Sequence, residues 1–195
     1  MRNSMSAASI NDYLEHSADI LRQAAQAGLA APVEQAVAAI VAALKADKPL
    51  LVCGNGGSAA DAMHITGELV GRFLKERPAL RCICLSDNPS VLTAWANDYS
   101  YETVFSRQVE AYGQAGGVFW GISTSGNSPN VVLAAEEARR RGMTVLALTG
   151  QGGGKLAAVA DILLAAPSRQ TPLIQQVHIC LYHYICEQVE AAFGA

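Results

Sequence analysis

Residues 53–72 read CGNGGSAADAMHITGELVGR. The stretch opens on the end of an apolar run, Pro49-Leu-Leu-Val-Cys53, turns through Gly54-Asn-Gly-Gly57, and from Ser58 onward has helical periodicity. This order predicts a strand, a tight glycine turn and a helix. Such a turn aims backbone N–H groups at a helix N-terminus, where roughly half a positive charge attracts an anion or a polar sugar oxygen. Along the predicted helix Asp61, His64 and Glu68 fall at i, i+3 and i+7 and so share one side. A carboxylate, an imidazole and a second carboxylate one turn apart suit metal binding or acid–base chemistry.

Working outward, the rest of the chain alternates in the same way. Two helices precede the first strand: Ile10 to Ala27, with Ser9 or Asn11 as N-cap, and Pro32 to Ala46. Further apolar strands are read at 80–86, 118–123, 143–149 and 161–165, with helices between them and a long helix from Thr171, its expected cap, to about Phe193. Nearly continuous apolar strands separated by helices predict an α/β fold: a doubly wound, five-stranded parallel sheet flanked by helices, preceded by a helical pair. No repeat or linker interrupts this order. The expectation is one domain over 1–195, with 1–48 as helices for packing and oligomerisation and 49–195 as the sheet core and last helix.

At 195 residues and a formal net charge of −3, the chain offers no basic field for nucleic acid or an anionic membrane, and a small-molecule partner is expected. Met1 to Ser9 lacks an apolar core, and the run Ala36 to Leu44 is well short of the ~20 residues of a membrane span, so a soluble cytoplasmic protein is expected. The five cysteines lie in apolar contexts without a C-x-x-C pair and are read as reduced core residues.

In an open parallel sheet ligands bind beyond the carboxyl ends of the strands, so the loops 54–58, 86–89 and 123–128 form one rim. Ser123, Thr124, Ser125 and Ser128 place four hydroxyls within six residues before a predicted helix, with Gly126 permitting close approach. This pattern predicts a phosphate cradle without lysine. A turn with an N-cap accounts for Ser128 alone. Gly54-x-Gly56-x-x-Ala59 also fits a dinucleotide fingerprint, but weakly: the acid expected about 20 residues on falls at Asp87, roughly 30 away. In the last helix Gln175 and His183 are about 80° apart and face one side, whereas His178, about 140° from His183, is read as packing or interface.

The segments CGNGGSAADAMH, GELVGR, NDYSYETVFSRQVEA, GISTSGNSPNV, ALTGQGGGKLA and TPLIQQVH resemble the sugar isomerase (SIS) fold family, and within it the bacterial phosphoheptose isomerases. The resemblance runs along nearly the whole chain in the family's order. It implies a flavodoxin-like SIS fold and isomerisation of sedoheptulose 7-phosphate to D-glycero-D-manno-heptose 7-phosphate through a cis-enediol, early in ADP-heptose and lipopolysaccharide core synthesis. It also implies one zinc ion per subunit held by His64, Glu68, Gln175 and His183, with Glu68 as the base for the carbon proton and His183 as the acid–base partner of the oxygens. Substrate positions implied are Asn55, Gly56, Gly57, Ser58, Asn97, Asp98, Ser123, Thr124, Ser125 and Ser128, with Glu68 and Gln175 touching both metal and sugar. A homotetramer with sites at subunit interfaces is implied as well.

Two departures from the family's pattern, Leu173 and Gln176, leave those four ligand types intact. Asp61 reads either as a partner orienting His64 or as a first-turn carboxylate, and Arg72 either as a reach toward a neighbour's ligand or as a helix end. The alternatives to this enzyme are a regulator of the same fold that binds a protein controlling replication initiation, or an isomerase or sensor of another sugar phosphate.

Overall fold

Five parallel strands form the centre of the computed structural model, which describes residues 9–194. They are β1 (Leu50–Gly54), β2 (Cys82–Cys84), β3 (Val118–Ser123), β4 (Thr144–Thr149) and β5 (Ile162–Ala165), in the spatial order β2-β1-β3-β4-β5. Among the described residues the α-helices are α1 (Ile10–Gln26), α2 (Ala30–Lys45), α3 (Gly57–Val70), α4 (Pro89–Asp98), α5 (Val104–Tyr112), α6 (Pro129–Arg140) and α7 (Thr171–Ala191). This is the flavodoxin-like order, in which the crevice lies between β1 and β3, where the winding reverses.

The two-residue period of the strands divides the core. On one face Leu50, Val52, Trp120, Ile122, Leu146 and Leu148 pack against α2, α3 and α7. On the other, Leu51, Cys53, Phe119, Val145 and Ala147 pack against α5 and α6. Helix α1 adds Ile20 and Ala24 to a smaller cluster with Leu173, Ile174 and Val177 of α7.

Several predicted boundaries differ. The second strand is confined to Cys82–Cys84, because its register with β1 spans only Leu50↔Cys82 to Val52↔Cys84. Beyond it Ser86 turns in, its hydroxyl bonding both the N–H and the carbonyl of Gly54. The cap residue of α7 is Gln170, not Thr171, and no side chain caps it. Helix α2 begins at Ala30, before Pro32.

Cys180 is exposed on α7, which corrects the reading of all five cysteines as core residues; the other four are buried. Among the described residues no single helix is long and apolar enough to cross a membrane, and α1 with α2 reach that length and composition only across a 78° bend. The reading of Met1 to Ser9 as lacking an apolar core lies, for residues 1–8, outside the described residues.

Candidate active site

The glycine turn after β1 is built by close approach. A Cβ on Gly54 would lie 2.5 Å from the carbonyl oxygen of Ser58, and Gly56 caps α3 with a left-handed φ of 55°. No side chain caps α3. Asn55 leaves this turn toward the neighbouring loop, where its amide and that of Asn130 exchange two hydrogen bonds of 2.9 Å. The Tyr101 hydroxyl donates a third, 2.9 Å, to Asn55 Oδ1. The first loop is thereby tied across the crevice to the start of α6.

In the serine loop the hydroxyls converge. Ser123 Oγ lies 2.9 Å from Ser128 Oγ and 3.4 Å from Ser125 Oγ, and Ser125 Oγ accepts the Asn127 N–H. Ser128 occupies the N-cap position of α6, yet its hydroxyl makes no capping bond and is committed to Ser123. Thr124 is half-buried within the same loop. The segment 150–156 buttresses this cradle: Gly150 N–H donates to Thr124 O, Leu156 N–H to Gly126 O, and Lys155 N–H to Asn127 Oδ1.

Helices α3 and α7 bring three ligand-type side chains together. His64 Nε2 lies 2.9 Å from Glu68 Oε1 and 3.5 Å from His183 Nε2, and one ligand atom from each of the three residues lies within 4.8 Å of the others. Donors around a tetrahedral zinc at ~2.0–2.1 Å stand about 3.3 Å apart. Two imidazoles and a carboxylate at this spacing therefore fit a divalent metal such as zinc. Burial first, and then the adjacent His64, push His183 below the ordinary imidazole range, with Glu68 pulling the other way. Phe73 stacks on His183 with ring centroids 5.7 Å apart and planes 15° from parallel.

The Tyr182 hydroxyl lies 3.0 Å from His64 Nδ1. Asp61 is buried behind it, and that burial pushes its carboxyl up to about 6 against the opposing influences of His64 and the Tyr182 hydroxyl. Tyr182, which helix periodicity gave no reason to single out, is the residue whose hydroxyl meets His64 Nδ1.

Gln175 is placed against the first loop: a side chain on Gly57 would overlap its Nε2. Eight residues on a helix rise about 12 Å, so Gln175 and His183 mark two ends of one α7 face, the first beside Gly57 and the second beside His64. Asn97 and Asp98 bond to each other, 2.9 Å, at the exposed end of α4, and the crevice is reached from that segment by Tyr101. Arg72 pairs with Glu76 at 3.4 Å on the surface. His178 is fully buried and lies 3.0 Å from the Thr149 carbonyl, as the packing reading expects.

The SIS domain family matches residues 12–150. A phosphoheptose isomerase of Crocosphaera subtropica is 47% identical over 186 residues, covering 95% of each chain. The chain belongs to the phosphoheptose isomerase family of SIS-domain proteins. The solved phosphoheptose isomerase of Neisseria gonorrhoeae shares its fold with a TM-score of 0.87 at 41% identity, covering 93% of this chain and 97% of that one. The corresponding structure from Francisella tularensis gives 0.89 at 37% identity, covering 93% and 96%. Tyr101 and Asn130, which bond Asn55, and Tyr182, which meets His64, are residues that the sequence did not single out.

Proposed function

We infer that this isomerase interconverts sedoheptulose 7-phosphate and D-glycero-D-manno-heptose 7-phosphate, feeding heptose synthesis for ADP-heptose and the lipopolysaccharide core. The observation that carries the reading is the convergence of His64, Glu68 and His183 on the α3–α7 face. Family membership supplies the sugar phosphate, and the trio supplies the groups its chemistry needs.

The reaction moves one proton between C1 and C2 and another between their oxygens through a cis-enediol. Glu68 is assigned the carbon proton, and His183, whose imidazole burial and His64 hold below the ordinary range, the transfer from O1 to O2. Positioned acid–base groups supply ~10²–10⁴-fold, about 3–5 kcal/mol, whereas enzymes lower barriers by roughly 8 kcal/mol or more. Anchoring has to contribute the difference. Ser123, Thr124, Ser125 and Ser128 are assigned to the phosphate, and Asn55, Gly56, Gly57, Ser58, Asn97, Asp98 and Gln175 to the sugar chain. A near-attack pose held from its far end is worth several kcal/mol.

His64, Glu68 and His183 would hold one zinc ion per subunit, with Gln175 of the same α7 face as the fourth ligand. When bound, the ion would polarise the C1 and C2 oxygens. A homotetramer with sites at subunit interfaces, located in the cytoplasm, completes the proposal, with residues 1–48 serving packing and assembly. What supports assembly is the apolar surface of α1 and α7: Ile10, Leu14 and Tyr184 are 50–68% exposed, beside a groove of about 610 Å³ lined by Leu21, Val33, Val177 and Leu181.

The test is aldose formation from sedoheptulose 7-phosphate by metal-stripped protein and by the same protein refilled with zinc. Activity that returns with zinc supports the reading. Equal activity in both would remove the metal from it, and none in either would remove the substrate.

A further inference from the structure

Tyr182 has one hydroxyl proton and two partners that want it. Its oxygen lies 3.0 Å from His64 Nδ1, and the buried Asp61 carboxylate, one turn before His64 on α3, acts on the same hydroxyl. Tyr182 is 1% exposed and Asp61 8%, so water does not readily stand in for either partner. Asp61 Oδ2 is left without a hydrogen-bond partner, an unfavourable arrangement for a buried group.

The proton count explains the orphan. With the hydroxyl donating to Nδ1, His64 carries its proton on Nε2, which donates to Glu68 Oε1 at 2.9 Å. In that tautomer Nε2 has no lone pair for a metal. Moving the ring proton to Nδ1 reverses the chain: Nδ1–H donates to the Tyr182 oxygen, the hydroxyl turns to Asp61, and Nε2 is freed toward Glu68 and His183. Both arrangements hold two protons, so the imidazole stays neutral. Only the second satisfies Asp61.

We propose that Tyr182 and Asp61 are positioning residues that, when a divalent metal binds, take up the Nδ1–H tautomer of His64 and keep the ring orientation that presents Nε2 to it. This rests on the metal site proposed above. Partners of this kind commonly contribute 10–100-fold in metal affinity. Tyr182 also makes edge contacts with the His64 and His183 rings, at centroid distances of 5.4 and 4.8 Å, so its ring fixes the face on which both imidazoles stand. Phenylalanine at 182 keeps that packing and removes only the hydroxyl.

The experiment measures zinc affinity by competition with a chromogenic chelator for the parent chain, Tyr182→Phe and Asp61→Asn. Long-range ¹H–¹⁵N NMR of labelled histidine reads the His64 tautomer in the same samples. The expected results are a parent that changes from Nε2–H to Nδ1–H on zinc binding, a ten- to hundredfold weaker Tyr182→Phe, and a smaller loss for Asp61→Asn. Tyr182→Phe binding zinc within twofold of the parent, or a His64 ring proton that stays on Nε2 with zinc bound, would overturn the inference. Should Tyr182→Phe fail to fold, Asp61→Asn decides: unchanged affinity and tautomer overturn the inference. A parent that binds no zinc would overturn the metal site itself, a separate outcome.

Discussion

The Glu190 carboxylate holds the loop that lays Phe73 on His183. It accepts backbone hydrogen bonds from Phe73, Leu74 and Lys75 at 2.6–2.9 Å and faces Arg77 at 3.4 Å, with both side chains buried. Arg77 in turn donates to the carbonyls of Glu68 and Gly71. A residue near the end of α7 thus fixes the wall behind the proposed acid–base histidine.

Replacing Glu190 by Gln should therefore affect both stability and turnover. Burial raises the Glu190 carboxyl, but the three backbone donors and Arg77 outweigh it and hold the group below the ordinary carboxylate range. Its stabilisation is present above the unfolded value and is lost as pH falls through the folded one. Removing one partner of a buried pair costs about 3–5 kcal/mol. Urea unfolding should show a loss of that order at neutral pH, and a loss under 1 kcal/mol would argue against the clamp.

Glu68→Gln should reduce turnover of sedoheptulose 7-phosphate by about 10³-fold or more, near the upper range for a positioned base. The serine loop is not touched by this change, so calorimetry should find substrate still bound. Retention of a tenth of the parent rate would take the carbon proton away from Glu68.

Gly126→Ala should damage the phosphate cradle from behind. Gly126 has a φ of 65°, and a Cβ there would overlap the carbonyl of Gly153. The left-handed conformation alone costs a non-glycine residue about 1–2 kcal/mol, and the overlap adds to it. A fall in Tm of about 5–10 °C is expected, with KM for the sugar phosphate raised more than kcat is lowered. Gly28→Ala is the control, since Gly28 has a φ of 71° but nothing within 4 Å of the added methyl. Equal effects of the two changes would show that only backbone strain matters.

Acid should weaken the fold through His178. Burial lowers its imidazole to about 4, with the Thr149 carbonyl opposing. The unfolded chain takes up this proton near 6.5, so the stability is intact above 6.5 and declines as pH falls toward 4. The total is on the order of 3 kcal/mol. Urea midpoints measured across that window should fall less steeply for His178→Gln than for the parent. Parallel curves would assign the acid sensitivity elsewhere.

Much of this was legible because it rests on periodicity. The run into Gly54-Asn-Gly-Gly57, the i, i+3, i+7 face of α3 and the 140° offset that sent His178 into the core are all local relationships. The apolar pattern extends the second strand beyond its ladder because residues on either side of Cys82–Cys84, Leu80 and Leu85, are buried without joining it. Ser128 takes the N-cap position of α6, but its hydroxyl pairs with Ser123 Oγ instead of a backbone N–H, a choice between two short-range partners that composition does not decide. Asn130, Tyr101 and Tyr182 reach partners 75, 46 and 118 residues away, and no local pattern marks such contacts.

The most direct measurement of the central claim follows solvent exchange at C1 and C2 by NMR, with zinc-loaded protein and sedoheptulose 7-phosphate in D₂O. An enediol formed by Glu68 and protonated from solvent-equilibrated groups predicts deuterium at C2 of the aldose product, with the Glu68→Gln protein inactive in the same tube. Zinc-loaded, folded protein that yields neither aldose nor deuterium exchange would contradict the account.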